Sequence, residues 1–312
     1  MTGSGETERA IGLGIDAGGT QTRWALVADG TTLLADGMAP GLTALQLGSS
    51  DGRAHMRSAF ETIAQALPAH SKPREICAGV TGLDARDERL CELMATALGV
   101  DAARISVQSD IAIACHDLFA PGEGYVVYAG TGSIAAFIDE HGVFHRAGGR
   151  GVLLDDAGGG FWIAREALRH IWRTEDERPG SWQDSPMARA MFAHIGGSDW
   201  AYSRQFFYGR ERGDIGKLAL AVAGAVDADP VARQIIEQAG RELARLGNAL
   251  LSRFGPRPIA LAGRAILLHP LIETTLRAAL AADVPVALRY AEAHVAAARI
   301  ASRLAQQRVA AK

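Results

Sequence analysis

The hydrophobic pattern is clearest at the start of the chain, where the apolar run Ile11 to Ile15 leads into the segment Ala17-Gly18-Gly19-Thr20. A second apolar run, Trp24 to Ala28, follows and closes at Asp29-Gly30, a dipeptide typical of tight hairpin turns. The β-branched and Leu-rich stretch "TTLLADG" comes next. This order predicts a strand, a Gly-Thr turn, a second strand and a hairpin into a third strand.

The first run also contains a Gly-x-Gly-x-x-Ala match, formed by Gly12, Gly14 and Ala17. A dinucleotide-binding fingerprint needs its glycines after a strand and directly before a helix. Here both glycines lie inside the apolar run, and a strand rather than a helix follows the turn. The context therefore argues against a dinucleotide site.

The same layout recurs in "YVVYAGTGSIAAFIDEHGVFHRAGG", Tyr125 to Gly149. An apolar run leads to Gly130-Thr131-Gly132-Ser133, a second run follows, and a polar turn ending in Gly142 precedes a third. Any pair of β-hairpins could give this layout, but both copies place Thr beside glycine at the first turn. We therefore favour a duplicated domain over coincidence.

The rest of the chain mixes helical patterns with short buried strands. One predicted strand runs into Thr81-Gly82, another ends at Asp110, and helical periodicity dominates beyond the second hairpin set. Strands that alternate with helices, beside hairpins, predict an α/β fold with mixed sheets. The polar stretch Glu175 to Ser185 is expected to be a surface loop or lid.

Length and composition agree with a two-domain globular protein. The 312 residues suggest about two domains, and the formal net charge of −3 gives no indication of a nucleic-acid partner. No apolar run approaches the ~20 residues of a spanning helix. Cys77, Cys91 and Cys115 are widely spaced, which argues against a zinc or disulfide framework. We expect a cytoplasmic protein with no membrane partner, a disordered tail at 1–10, and domains at 11–120 and 121–312, the last helix returning to the first domain.

Asp16 stands at the end of a predicted strand, immediately before Gly18 and Gly19. Glycines allow backbone N–H groups to approach a phosphate closely, and Mg²⁺ on a nucleotide usually takes one or two carboxylates. A tight turn with a turn-favouring aspartate is the alternative interpretation. The second Gly-Thr turn, Gly130 to Ser133, favours the interpretation that these turns bind phosphate, because two such turns can hold one polyphosphate.

Asp110 follows a strand, where ligands of α/β proteins bind, but it could equally cap the next helix. Asp155-Asp156 precedes a glycine-rich helix entry and could cap it, bind an anion or accept polyol hydroxyls. Gly263, after the strand "PIALAG", would let a base or ribose approach the backbone, or is a plain turn glycine.

Five ordered segments carry a family resemblance: "GIDAGGTQTRWAL", "SDIAIAC", "AGTGSIAAF", "AGGRGVLLDDAGGGFWIA" and "IALAG". The chain resembles the N-acetylglucosamine kinase-like, or BadF/BadG/BcrA/BcrD, branch of the sugar kinase, heat-shock cognate and actin superfamily. The resemblance covers nearly the whole chain. It implies an α/β, actin-like ATPase fold of two ribonuclease-H-like domains with the active site in the interdomain cleft.

The resemblance also implies site residues. The catalytic aspartate would be Asp110, and Asp16 would hold the metal. The ATP-binding residues would be Asp16, Gly18, Gly19, Thr20, Thr22, Gly130, Thr131, Gly132, Ser133 and Gly263. The sugar-binding residues would be Thr43, Asp110, Gly148, Gly149 and Asp156. The chain departs from the usual family pattern in the Leu42-Thr43-Ala44 loop and at Arg150, Ala157 and Arg264.

The function that the resemblance implies is transfer of the γ-phosphoryl group of ATP, with Mg²⁺, to a hydroxyl, the 6-OH, of glucosamine or N-acetylglucosamine. The expected partner is this small amino sugar, with a homodimer as one candidate assembly. Two alternatives stay open. One is an ATPase that activates a dehydratase through an iron–sulfur cluster, which the cysteine positions disfavour. The other is a non-catalytic sugar or nucleotide sensor of the same fold.

Overall fold

A computed structural model describes residues 9–83 and 85–310, which form two compact units. The first unit runs as far as Asp117 and takes in the chain from Ala291 onward. The second unit spans Leu118–Tyr290. Most of the predicted tail, residues 1–8, lies outside the described part. Arg9 and Ala10 belong to the folded unit, because Arg9 pairs with Asp29 and Ala10 is buried.

The first unit is built on a five-stranded sheet in the order β3-β2-β1-β4-β5. The strands are β1 (Ile11–Ala17), β2 (Gln21–Ala28), β3 (Thr32–Pro40), β4 (Glu75–Val80) and β5 (Ile105–Gln108). β1, β2 and β3 are antiparallel, whereas β4 and β5 run parallel to β1. The helices are α1 (Ser50–Ala66), α2 (Glu88–Leu98), α3 (Asp110–Leu118) and the last helix of the chain, α11 (Ala293–Ala310).

The second unit repeats this topology with a sheet in the order β8-β7-β6-β9-β10. Its strands are β6 (Tyr125–Ala129), β7 (Ser133–Ile138), β8 (Phe144–Gly148), β9 (Ile259–Ala262) and β10 (Val286–Leu288). Again the first three strands are antiparallel and the last two are parallel to the central strand. The two sheets confirm the predicted α/β class and the repeat inferred from the hairpin patterns.

Helices pack around the second sheet and form most of that unit's hydrophobic core. They are α4 (Gly160–Glu177), α5 (Pro186–Ile195), α6 (Trp200–Gly209), α7 (Arg212–Gly216), α8 (Ala219–Gly224), α9 (Pro230–Phe254) and α10 (Pro270–Ala279). The expected surface loop at Glu175 to Ser185 is shorter than predicted, because α4 continues to Glu177 and the connection to α5 begins only after it. The Glu175 carboxylate accepts hydrogen bonds from the Gly180 and Trp182 N–H groups, which hold the following turn.

The Asp29-Gly30 turn has the conformation that the sequence predicts. Both residues have positive φ, 54° and 79°, and the Thr31 N–H donates to the Ala28 carbonyl, as in a type I′ β-turn. Asp and Gly tolerate that conformation better than most residues do. The turn joins β2 to β3.

The glycines of the fingerprint match are explained by helix packing. A Cβ on Gly12 would lie 2.1 Å from the Ser302 backbone nitrogen, and one on Gly14 would lie 2.1 Å from that of Ala298. Both contacts are to the backbone of α11, which crosses directly over β1. The glycines therefore let α11 lie against the sheet, and this use is unrelated to a nucleotide.

Within residues 9–83 and 85–310, no helix is both long and apolar enough to span a membrane.

Candidate functional site

Asp16 lies at the carboxyl end of β1, on the same face of the strand as Gly12 and Gly14, because strand side chains alternate. α11 covers the two glycines, so Asp16 is the first residue of that face beyond the helix. In the sheet register Asp16 stands opposite Arg23 on β2 and Gly79 on β4. The side chain is only partly buried.

Asp110 is the first residue of α3, two residues after β5 ends at Gln108. Its Oδ2 accepts a 2.6 Å hydrogen bond from the Thr81 hydroxyl, and its Oδ1 accepts one of 2.8 Å from the Ile111 N–H. A Cβ on Gly79 would lie 3.0 Å from the Asp110 Cα, so this glycine lets the first turn of α3 approach β4. The carboxylate is thereby fixed at the carboxyl edge of the sheet.

The alternative interpretation of Asp110 as a helix cap is not supported. Ser109 takes that place, because its hydroxyl accepts from the Ala112 N–H and its carbonyl accepts from the N–H groups of Ala112 and Ile113. The Asp110 carboxylate is left with one hydroxyl donor and the neighbouring N–H. Each of its oxygens keeps capacity to accept a further hydrogen bond.

Asp16 and Asp110 are electrostatic neighbours. Burial, and then the negative charge of Asp110, raise the pKa of Asp16 to about 6, and the charge of Arg23 opposes the shift. Two carboxylates that disfavour each other's charge form a site that a cation would stabilise. The pair is held on one edge of one sheet, by β1 on one side and α3 on the other.

These two carboxylates suit Mg²⁺ that arrives with a nucleotide. Among the described residues, no group of three or more His, Cys, Asp and Glu side chains is arranged as a metal site. Mg²⁺ in nucleotide sites usually takes one or two carboxylates and completes its shell with phosphate oxygens and water. Asp16 can meet that need without a cage made entirely by the protein.

The first glycine turn joins β1 to β2, and two hydrogen bonds from neighbouring segments fix its backbone. The Ala17 carbonyl accepts from the Thr81 N–H, and the Gly18 carbonyl accepts from the Leu42 N–H. In the described part of the chain, the N–H groups of Gly19 and Thr20 donate no backbone hydrogen bond. Both residues are exposed, so these N–H groups remain available to an anion.

Other predicted residues of the first unit separate into two groups. Thr43 lies beside the turn, since a Cβ on Gly19 would be 3.3 Å from its Cγ2. Thr22, in contrast, is fully buried within β2, and its Oγ1 has no hydrogen-bond partner among the described residues. The structure therefore places Thr43 at the exposed side of the turn and Thr22 behind it.

The second glycine turn, Gly130 to Ser133, joins β6 to β7 and is tied to the start of α4. The N–H groups of Gly160 and Phe161 donate to the carbonyls of Gly130 and Thr131. Thr131 is exposed. Ser133 is buried and its hydroxyl donates a 2.7 Å hydrogen bond to the Ala157 carbonyl, so that hydroxyl holds the loop together.

Asp156 lies directly against this turn. A Cβ on Gly132 would be 2.2 Å from the Asp156 Oδ2, and the Asp156 Oδ1 accepts a 2.9 Å hydrogen bond from the Gly151 N–H. Its backbone has φ of 51°, a left-handed conformation that is uncommon for a residue other than glycine and recurs at functional sites. Burial raises the pKa of the Asp156 carboxyl, and backbone hydrogen bonds from Gly151 and Arg150 and the charge of Arg212 oppose that shift.

The three remaining predicted residues, Gly148, Gly149 and Gly263, also lie beside the second turn. The Gly149 N–H donates to the Ser133 carbonyl. A Cβ on Gly263 would lie 2.3 Å from the Ala129 carbonyl oxygen, immediately before the turn. All three glycines have positive φ, 72°, 62° and 98°, so backbone conformation alone already accounts for glycine at these positions.

The structure thus assembles two clusters, one in each unit. In the first unit Asp16, Asp110, Thr43 and the first glycine turn come together, with Thr81 as a member that the sequence reasoning missed. The signal was present, since Thr81-Gly82 directly follows a buried strand, as the other Gly-Thr turns do. In the second unit the second glycine turn, Asp156, Gly148, Gly149 and Gly263 come together.

Comparison with known proteins gives a consistent result. The family model of the BadF/BadG/BcrA/BcrD ATPase family matches residues 13–285. An N-acetyl-D-glucosamine kinase from Dictyostelium discoideum is 30% identical over 183 residues, which cover 54% of this chain and 56% of that protein. The aligned region therefore spans little more than half of that relative.

Two further relatives align over more of the chain. An N-acetylmuramic acid/N-acetylglucosamine kinase from Clostridium acetobutylicum is 28% identical over 238 residues, covering 74% of this chain and 76% of that protein. The crystal structure of a candidate N-acetylglucosamine kinase from Chromobacterium violaceum superimposes with a TM-score of 0.69 and 24% identity, covering 94% of this chain and 98% of that one. This last likeness is one of fold.

Proposed function

The chain belongs to the BadF/BadG/BcrA/BcrD ATPase family, and on that premise we propose that it is an ATP-dependent sugar kinase. The reaction is transfer of the γ-phosphoryl group of ATP to a hydroxyl, the 6-OH, of glucosamine or N-acetylglucosamine. The observation that carries the proposal is the carboxylate pair Asp16 and Asp110, held at one sheet edge beside a glycine turn with free N–H groups.

Asp110 is the general base. Its Oδ2 is oriented by the Thr81 hydroxyl at 2.6 Å, and Asp110 is the first residue of α3. The proton of the attacking sugar hydroxyl passes to Asp110, and the hydroxyl oxygen forms a bond to the γ-phosphorus. The bond between that phosphorus and the β–γ bridging oxygen breaks, and ADP leaves. Such transfers depend mainly on positioning and charge stabilisation.

Asp16 is the residue that would hold Mg²⁺, and a bound Mg²⁺ supplies charge neutralisation to the phosphates. The two glycine turns contribute to phosphate binding. At Gly19 neither a positive φ nor a clash inside the protein demands glycine, because a Cβ there would only approach the Thr43 methyl group at 3.3 Å. Close approach of a ligand to the backbone is a physical reason for glycine that remains.

The proposed sugar-binding residues are Thr43 and Asp110 in the first unit and Gly148, Gly149 and Asp156 in the second. Asp156 can accept hydrogen bonds from sugar hydroxyls, because its carboxylate receives, among the described residues, only the backbone N–H groups of Gly151 and Arg150, and each carboxylate oxygen can accept more than one hydrogen bond. An amino sugar is the proposed acceptor because both curated relatives are named as kinases of N-acetylglucosamine.

The alternative of a dehydratase activator finds no support in the cysteines. Cys77, Cys91 and Cys115 are all buried, and burial raises the pKa of each thiol, that of Cys115 to about 12. Buried thiols of this kind are poor candidates for ligands of a cluster shared with a second chain. The presence of both carboxylates, Asp16 and Asp110, argues against a sensor without turnover.

The experiment is an acceptor screen with ATP and Mg²⁺, with ADP formation as the readout. Glucosamine, N-acetylglucosamine, glucose and mannose are compared with a reaction lacking sugar. The proposal expects acceptor-dependent ADP release, greatest with an amino sugar, and a product whose 6-position carries the phosphate by NMR. ADP release that is independent of every sugar would instead favour a plain ATPase.

A further inference from the structure

The second glycine turn has no cationic residue of its own, since Gly130 to Ser133 contains neither lysine nor arginine. The same holds for the first turn. Phosphoryl groups are commonly bound by guanidinium or ammonium groups as well as by backbone N–H groups. A cation that serves the second turn therefore has to come from outside the turn.

α7 packs against this turn and against the start of α4. A Cβ on Gly216, the last residue of α7, would lie 3.7 Å from the Thr131 Cγ2, and one on Gly160 would lie 3.1 Å from the Gly216 carbonyl oxygen. Ile215 is buried and anchors α7 in the core of the unit. The position of α7 relative to the turn is therefore fixed by packing.

Arg212, the first residue of α7, lies one helical turn before Gly216, so the two residues share a face of the helix. Its positive charge acts on the Asp156 carboxyl, and that carboxyl lies against Gly132. The Arg212 side chain is exposed and forms no hydrogen bond or ion pair with another residue in the described part of the chain. Its neighbour Lys217, in contrast, is engaged by Asp214 at 2.7 Å.

We propose that Arg212 is a phosphate-binding residue of the second glycine turn, where its guanidinium contacts the terminal phosphate oxygens of the bound nucleotide. This inference rests on the proposed function. It adds a residue that lies outside the glycine motifs and that comes from a five-residue helix. An arginine that only screened Asp156 would leave nucleotide affinity unchanged and would affect the sugar instead.

The test is calorimetric titration of the full chain with ADP, AMP and adenosine, in the absence of sugar. A hydrogen bond to a charged group predicts that Arg212→Gln weakens ADP binding about 10- to 100-fold. Adenosine affinity should stay unchanged, because adenosine has no phosphate. Arg212→Lys should recover part of the loss, since an ammonium keeps the charge but not the planar fork.

Arg210→Gln is the matched control, because Arg210 is an exposed arginine two residues away that is not among the groups acting on Asp156. It should bind ADP as the wild type does. Equal ADP affinity in Arg212→Gln and Arg210→Gln would overturn the proposal, and so would an equal loss of adenosine and ADP binding. Thermal unfolding of each variant shows whether it folds.

The kinase proposal and the proposal for Arg212 can fail independently of each other. If the wild type binds ADP but phosphorylates no sugar, the kinase proposal is lost, while the ADP titrations still decide on Arg212. If Arg212→Gln raises the KM for sugar and leaves ADP affinity intact, Arg212 acts through Asp156 on the acceptor and the phosphate role is rejected.

Discussion

The Thr81 hydroxyl donates a 2.6 Å hydrogen bond to the Oδ2 of Asp110, joining the end of β4 to the start of α3. The Thr81 backbone takes part in the same arrangement, because its N–H donates to the Ala17 carbonyl and its own carbonyl accepts from the Ala44 N–H. One residue thus connects the first glycine turn, the Thr43 segment and the proposed base. These contacts make Thr81 a residue that positions the Asp110 carboxylate.

Replacing Thr81 tests that role. Thr81→Val keeps the branched shape and removes the hydroxyl, so we expect kcat to fall about 10-fold, in line with the loss of one hydrogen bond to a charged group. Thr81→Ser restores the donor and should recover most of kcat. The measurement is kcat and KM for both substrates. A kcat unchanged in Thr81→Val would show that Asp110 needs no orientation from Thr81.

Asp110→Asn removes the proposed base while it preserves the size of the side chain. We expect kcat to fall roughly 10²- to 10⁴-fold, as for the loss of a general base, with a much smaller change in sugar Kd. Ser109→Ala is the structural control, because Ser109 and not Asp110 caps α3. It should lower the free energy of unfolding by about 0.5–2 kcal/mol and leave kcat largely intact. Turnover in Asp110→Asn above about a tenth of wild type would reject the catalytic role.

The sequence predicted the strands and turns of this site better than the contacts between its side chains. Apolar runs and Gly-Thr turns located the strands and both turns, because these signals are local. The bond between Thr81 and Asp110 depends on which strands are neighbours in the sheet, and that information is not local. The reason for glycine at positions 12 and 14 could not be predicted locally either, because α11, the helix that packs against them, comes from the other end of the chain.

Side-chain direction is another feature that the sequence did not show. Thr22 and Ser133 both follow glycine turns, and the family resemblance gave both a role at the nucleotide. In the structure both are buried, and Ser133 already donates to the Ala157 carbonyl. Alternation along a strand decides which hydroxyls face inward, and the register that sets it is fixed by pairing with neighbouring strands.

Asp16→Asn should stabilise the protein while it abolishes turnover. Burial and the charge of Asp110 raise the pKa of Asp16 from an ordinary value of 3.8 to about 6. The folded state therefore binds this proton more tightly than the unfolded state does, and the charged carboxylate destabilises the fold above pH 6. That destabilisation disappears as the pH falls from about 6 toward 4. At pH 8 the variant should be more stable by about 1–3 kcal/mol, allowing for partial exposure of the group.

Urea unfolding without divalent metal, at pH 8 and near pH 4, measures this difference. Asp36→Asn, on the exposed strand β3, serves as the control and should change stability little at either pH. Equal stability of wild type and Asp16→Asn at pH 8 would contradict the expected cost of keeping a charged Asp16 in a largely buried place beside Asp110. A gain that persisted at pH 4 would point to packing rather than charge.

The last prediction concerns Gly19 and tests whether glycine is needed at this position for nucleotide binding or for folding. Gly19 does not have positive φ, and a Cβ there would meet only the Thr43 methyl group, at 3.3 Å. We therefore expect Gly19→Ala to leave the free energy of unfolding within about 0.5 kcal/mol of wild type, as for a surface substitution. ADP affinity should fall at least about 10-fold, because the added methyl group stands where a phosphate would approach the free N–H groups.

Gly48→Ala is the matched control in the same unit, because Gly48 is exposed and nothing lies within 4 Å of its missing Cβ. It should change neither stability nor ADP affinity. Calorimetric titration with ADP, with and without Mg²⁺, and urea unfolding are run on all three proteins. If Gly19→Ala binds ADP as tightly as Gly48→Ala does, the first turn is only a hairpin connection. If Gly19→Ala is instead strongly destabilised, the fold itself requires that glycine.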